Sequence, residues 1–145
     1  MKIRKITKKD FKEISRLIKV EYLKHYKEKW TEKNAAKTLD YYQKIGKIFV
    51  AELKGVVVGF VIFKEEYYND KKMVKIEELI VNGKLQGKGI GKELMQFVEN
   101  YCKENKISLI WLITGKEVGA FKFYKKIGYK HSEKTAYLEK EVNNA

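Results

Sequence analysis

The chain has 145 residues, enough for one hydrophobic core and too few for two, so a single domain over 1–145 is expected. Its 44% hydrophobic and 13% aromatic content supplies the apolar surface that disordered chains lack, and its single cysteine, Cys102, excludes an internal disulfide. The 32 basic and 19 acidic residues leave a net charge of +13, which draws polyanions such as nucleic acid, anionic lipid or a phosphorylated cofactor without choosing among them.

The start, Met1-Lys2-Ile3-Arg4-Lys5, lacks the apolar centre of a signal peptide, and no later apolar run approaches the roughly 20 residues that cross a bilayer. No membrane partner and a cytoplasmic location are the expectations. Residues 3–6 read as a short strand, after which Thr7 or Asp10 can cap a helix with Phe11, Ile14, Leu17, Ile18 and Leu23 at helical spacing. Tyr22, His25 and Tyr26 lie toward its end. A second helix starts near Thr31 and passes Ala35, Ala36, Leu39 and Tyr42 to a glycine stop at Gly46. Strands 47–53 and 56–63 follow, joined in hairpin fashion by Lys54-Gly55, and a polar tip at 69–72 separates the next pair.

From residue 73 the pattern becomes strand, helix, strand. Segment 73–81 ends in Leu79-Ile80-Val81, and a glycine-rich loop leads into a helix with Ile90, Leu94, Phe97, Val98, Tyr101 and Cys102 on one stripe. Segment 109–113 is apolar on both faces, as a central strand would be, and the crossover helix makes it parallel to 73–81. A short helix with Ala120, Phe123, Tyr124 and Ile127 on one face stops at Gly128, and a final antiparallel hairpin is expected to end near Val142. The class is mixed α/β. Cys102 sits on a core stripe and reads as a small buried hydrophobe. With it, His25 and His131 are too few soft ligands for structural zinc, so no metal is expected and both histidines read as surface or structural.

The loop Gln86-Gly87-Lys88-Gly89-Ile90-Gly91 lies where the unpaired amides and positive dipole end of a helix face outward, a setting that binds anions. Glycines let a phosphate approach the backbone, and Lys84, Lys88 and Lys92 add positive charge. A dinucleotide fingerprint starting at Gly87 would need glycine where Lys92 stands, and a Walker loop would need Ser or Thr after Gly91-Lys92. Neither fits. The pattern Q/R-x-x-G-x-G/A does fit, through Gln86, Gly89 and Gly91. It is preceded by Glu77-Glu78-Leu79-Ile80-Val81 and followed by Ala120-x-x-Phe123-Tyr124-Lys125-Lys126-x-Gly128-Tyr129. With these three features together the chain resembles the GNAT superfamily of acetyl-CoA-dependent N-acetyltransferases. The element order matches over essentially the whole chain, and the specific part covers residues 77–129.

The resemblance implies a GNAT-like fold: a largely antiparallel sheet of about six or seven strands, a central parallel βαβ unit and about four helices. It implies acetyl-CoA as cosubstrate, its pyrophosphate held by the backbone of Gln86, Gly87, Lys88, Gly89, Ile90 and Gly91 beside Lys92, and its pantetheine along the strand edge at Leu79, Ile80 and Val81. Tyr124 resembles the family tyrosine that gives a proton to the coenzyme A sulfur. Acetyl transfer needs a neutral amine, so a base is required. Alternation along a strand lets only one of Glu77 and Glu78 face the cleft. Glu77 corresponds to the family's base, and Glu78 is expected beside the acceptor with Tyr22, Tyr26 and Trp30. Those three aromatics either wall the acceptor site or pack the first helix on the sheet. Glu65, Glu66 and Asp70, with Glu77 and Glu78, form a candidate acidic lip for a cationic amine. Two departures stand out. No proline follows Val81, so the linker Asn82-Gly83-Lys84-Leu85 is expected to be a looser turn, and Glu117 stands where the family often has asparagine.

The function these residues imply is transfer of an acetyl group to a primary amine of a small molecule or a protein, by direct attack in a ternary complex. Two rivals remain: a coenzyme A-binding sensor without turnover, and a basic nucleic-acid-binding domain, for which no recognised signature exists in the chain. The basic surface and final hairpin would permit a homodimer.

Overall fold

Apolar strand-forming segments, one of them buried without a break over residues 57–63, build the sheet of the first of two units, Met1–Ile113, in a computed structural model that describes residues 1–143. The strands are β1 (Lys2–Lys5), β2 (Lys47–Leu53), β3 (Val56–Tyr68), β4 (Lys71–Val81) and β5 (Leu109–Trp111), lying side by side in chain order. Every neighbouring pair is antiparallel except β4–β5, which is parallel. The unit's helices are α1 (Phe11–Tyr26), α2 (Glu32–Ile45) and α3 (Ile90–Glu104), and the unit beginning at Thr114 holds α4 (Gly119–Lys126).

Local chemistry sets the helix ends. The Thr7 amide and hydroxyl both donate to Asp10 Oδ2, at 2.8 and 3.1 Å, ahead of α1. Arg4 of β1 grips the same carboxylate at 2.8 and 2.9 Å and reaches Glu52 of β2 at 3.0 Å, so one ion network ties the start of α1 to two strands. The Thr31 hydroxyl accepts the Asn34 amide at 3.0 Å to begin α2, which ends at Gly46.

The two sheet faces carry different helices. On one, Ile48, Val50, Phe60, Ile62 and Ile80 pack with Ile14, Leu17 and Ile18 of α1 and Ala35 and Leu39 of α2. On the other, Phe49 lies 4.6 Å from Phe97, and Phe63 lies 5.1 Å from Tyr101, both partners on α3. Burying each such side chain contributes about 1.5–3 kcal/mol. None of the helices among the described residues is long and apolar enough to cross a membrane.

Two expectations need correction. The sheet has five strands among the described residues, and the parallel pair lies at its edge, not its centre. The expected last hairpin is absent: residues 130–143 form no strand, and Tyr137, Leu138 and Val142 are exposed. Tyr137 and Leu138 are adjacent, so a strand would send them to opposite faces, and the charged residues around them leave no one-sided apolar strip. β5 is short and ends the strand order, and its Leu109 is about half exposed, at 52%.

In the second unit, α4 buries Tyr124, whose ring lies 5.1 Å from Phe123 and 5.5 Å from Tyr129. The Tyr129 amide donates to the Tyr124 carbonyl at 2.9 Å, and Phe121 stacks edge-on with His131 at 5.5 Å.

Candidate active site

The β4–β5 ladder stops at Lys75 opposite Trp111, while β4 runs on to Val81. Beyond Lys75 the β4 edge facing away from β3 therefore has no β5 partner among the described residues, which leaves strand-like backbone donors and acceptors along 76–81. The chain then turns within a few residues. The Asn82 amide donates to Val58 of β3 at 2.8 Å, the Asn82 side chain accepts the Lys84 amide at 3.0 Å, and the Leu85 amide closes back on Asn82 at 2.8 Å. This makes a 3₁₀ turn over Gly83–Leu85, so the looser linker expected without proline is not found. Side-chain capping by Asn82 restrains the turn in place of a fixed proline φ.

After that turn, Gly87 (φ +80°) and Gly89 (φ +85°) adopt the left-handed conformation, and a Cβ added at either would meet no protein atom within 4 Å. Gly89 caps α3 without a side chain, so the first-turn amides and the positive end of the helix dipole face outward. Lys84, Lys88 and Lys92 are exposed around the same loop. A diphosphate fits this donor set, because charge and amides converge where the backbone carries no Cβ. The Gln86 side chain is turned away from that task, its amide donating to Val81 O at 3.2 Å and to Glu21 Oε1 at 3.4 Å.

The carboxylates on β4 owe their placement to a β-bulge. Ile62 of β3 pairs with Glu78, but the adjacent Phe63 pairs with Ile76, so Glu77 is the extra residue. A bulge interrupts strict alternation. Both glutamates consequently meet the helices that cover one face: the Tyr22 hydroxyl of α1 donates a hydrogen bond to Glu78 Oε1, and the Tyr42 hydroxyl of α2 donates to Glu77 Oε2 at 2.8 Å. The expectation that only one of them faces this side is therefore corrected. The Lys75 ammonium lies 3.1 Å from Glu77 Oε1 and 5.2 Å from the centre of the Trp111 ring, whose indole N–H donates to Glu66 at 2.7 Å.

The two acids differ in their surroundings. Burial pushes Glu78 up to about 7, helped by the charges of Glu77 and Glu28 and opposed by the Tyr22 hydrogen bond. Burial and the neighbouring carboxylates raise Tyr22 and Tyr42, so both remain protonated donors at neutral pH. Glu77 has a cation at contact distance, whereas Glu78 has none among its described partners. A carboxyl that titrates near neutrality and sits by a tyrosine donor is suited to exchange a proton with an amine.

Tyr22 links the acids to the other expected acceptor residues, with ring centres 5.2 Å from Tyr26 and 5.2 Å from Trp30, whose indole donates to Glu28 at 2.6 Å. The structure thus brings Tyr22, Tyr26, Trp30, Glu77 and Glu78 together. The acidic lip does not form as expected. Glu65 accepts from Tyr101 on the α3 side and Glu66 from Trp111 on the other, with Lys72 and Lys64 beside them at 3.8 and 3.6 Å. Cys102 is buried, its thiol pushed up to about 11 by burial and by nearby Glu65 and Glu99. His25 contacts Glu21 at 3.2 Å and His131 approaches Glu133 at 3.6 Å. Glu21, Tyr42 and Lys75 escaped the sequence reading. Glu21 was detectable in principle, since it continues the apolar stripe Ile14, Leu17, Ile18 one turn further.

Comparison with known proteins identifies the family and the fold. The profile of the acetyltransferase (GNAT) family matches residues 11–129. An uncharacterized N-acetyltransferase of Methanocaldococcus jannaschii is 32% identical over 89 residues, 59% of this chain, and the match spans only 39% of the length of that curated relative. Among solved structures, a possible acetyltransferase from Clostridium difficile 630 superposes with a TM-score of 0.85 at 17% identity, covering 98% of each chain. A ribosomal-protein-alanine N-acetyltransferase from Brucella melitensis biovar Abortus 2308 superposes at 0.80 with 21% identity, covering 97% of this chain and 98% of its own.

Proposed function

The chain belongs to the acetyltransferase (GNAT) family, and from that membership we propose that residues 1–145 act as one acetyltransferase domain that moves an acetyl group from acetyl-CoA to a primary amine. The acceptor is an amine of a small molecule or a protein. The observation that carries the reading is the bulged pair Glu77–Glu78 on the strand that leads into the glycine loop.

In this reading the amides and glycines of 86–91, with Lys88 and Lys92, hold the diphosphate, and the β4 edge at Leu79, Ile80 and Val81 lies along the pantetheine. Acetyl-CoA supplies an activated acetyl thioester. Glu78 takes a proton from the bound ammonium, freeing the nitrogen lone pair to form the new N–C bond as the C–S bond breaks. By its resemblance to the family tyrosine, Tyr124 is assigned to give a proton to the departing thiolate, and the surplus proton on the acylated nitrogen leaves to solvent as the neutral amide forms and Tyr124 is reprotonated. Tyr22 orients Glu78, and Glu77, fixed by Tyr42 and Lys75, keeps the local charge that favours a proton on its neighbour. The base is thus assigned to Glu78 in place of Glu77, because a base works best with a proton affinity near the working pH. Tyr26 and Trp30 line the acceptor side.

Glu78→Gln tests this assignment. It should lower kcat by about 10²–10⁴ while leaving the Kd for coenzyme A nearly unchanged, measured by thiol release and calorimetry. Turnover equal to that of the unaltered chain would remove Glu78 from the chemistry.

A further inference from the structure

Among the described residues the mechanism above leaves two buried carboxylates unused: Asp10, which Arg4 holds at the start of α1, and Glu21. Glu21 of α1 is 6% exposed and lies outside the Glu77–Glu78 pair. Its Oε2 accepts the Gly83 amide at 3.2 Å, and its Oε1 lies 3.4 Å from the Gln86 side-chain amide and 3.2 Å from His25 Nε2. A side chain at Gly83 would be crowded, because a Cβ there would stand 3.0 Å from Lys24 Nζ and 3.1 and 3.2 Å from the Glu21 oxygens, which would have to shift. One carboxylate therefore reaches both ends of the short connection between β4 and the glycine loop.

A negative charge this close to a diphosphate site opposes binding through space, so its benefit has to be geometric. A buried carboxylate is costly unless hydrogen-bonded, and here the bonds come from the turn itself. We propose that Glu21 is a positioning residue for the cofactor loop: from behind, it holds Gly83 and Gln86 so that the amides of 87–91 stay aimed outward. The proposal rests on the reading of that loop as the diphosphate site.

The test compares the full chain with Glu21→Ala, Glu21→Gln and Gly83→Ala, using coenzyme A in calorimetry and acetyl-CoA with an amine in kinetics. Glu21→Ala should raise the Kd for coenzyme A and the KM for acetyl-CoA about tenfold, the scale of losing hydrogen bonds to a charged group. The amine KM, and kcat at saturating acetyl-CoA, should move far less. Glu21→Gln should recover most of the affinity, since its amide oxygen can still accept the Gly83 N–H. Gly83→Ala should weaken coenzyme A binding in the same direction as Glu21→Ala and by less, because its methyl crowds the same carboxylate. A folded Glu21→Ala chain with unchanged coenzyme A affinity would overturn the proposal, as would equal losses in kcat and both KM values accompanied by a lower Tm. Should Glu21→Ala not fold, unchanged coenzyme A affinity in a folded Gly83→Ala chain overturns it equally. An unaltered chain that takes up no coenzyme A refutes the loop reading itself, whereas uptake by that chain with equal affinity in all variants refutes only the role of Glu21.

Discussion

Glu78 draws its basicity from burial and, against the opposing hydrogen bond from Tyr22 of α1, from the like charges of Glu28 and of Glu77 one position back on β4. That last contribution can be isolated. Glu77→Gln removes the negative neighbour and leaves the Lys75 ammonium, 3.1 Å away at present, without its partner. Both changes favour ionised Glu78, so the rising limb of kcat/KM against pH, expected near the Glu78 value of about 7 in the unaltered chain, should move to lower pH. A limb that stays in place would show that the two acids are not coupled, and loss of the limb altogether would return the base role to Glu77. The sequence shows the two glutamates and their place before the glycine loop. It does not show that both face one way, because the bulge arises from how Ile62 and Phe63 of β3 pair across the sheet.

At the scale of elements, the features legible in the sequence are those decided within a few residues. Thr31 and Gly46 bound α2 as expected, and Thr7 with Asp10 opens the approach to α1, since caps and stops depend on local hydrogen bonds. The extent of β5 and the fate of residues 130–143 depend instead on what lies beside them, and there the expectations failed. Two variants probe the element ends. Gly89→Val should abolish coenzyme A binding and lower stability by about 1–2 kcal/mol, read by calorimetry and urea unfolding. The cause is the φ of +85° that opens α3, since a Cβ there meets no protein atom within 4 Å. Asp10→Asn disrupts the Arg4 network. The Arg4 hydrogen bonds hold Asp10 below the usual carboxylate range, so its stabilisation is present above the unfolded-state pKa and fades as pH falls through the folded one. The substitution should therefore cost about 2 kcal/mol near neutrality and progressively less below about pH 4. A cost that is the same at both pH values would contradict the ion-pair account.

Across the whole molecule, a net charge of +13 surrounds a site whose proposed cosubstrate is a polyanion and whose acceptor is a cation. Salt should separate the two. Raising it from about 50 mM to about 500 mM should increase the KM for acetyl-CoA several-fold, because the Debye length shrinks to a few ångströms, while half-buried Glu78 is screened less and keeps its hold on the amine. The identity of that amine is the part the fold leaves open, since function resides in the acceptor-facing side chains and related folds carry different ones. The most direct measurement of the central claim is amine-dependent release of coenzyme A thiol by the unaltered chain across pH, with product mass locating the new acetyl group. The expected result is release that requires an amine and rises through about pH 7, matching the titration of Glu78. Coenzyme A binding without any amine-dependent release, or release indifferent to pH across that range, would contradict it.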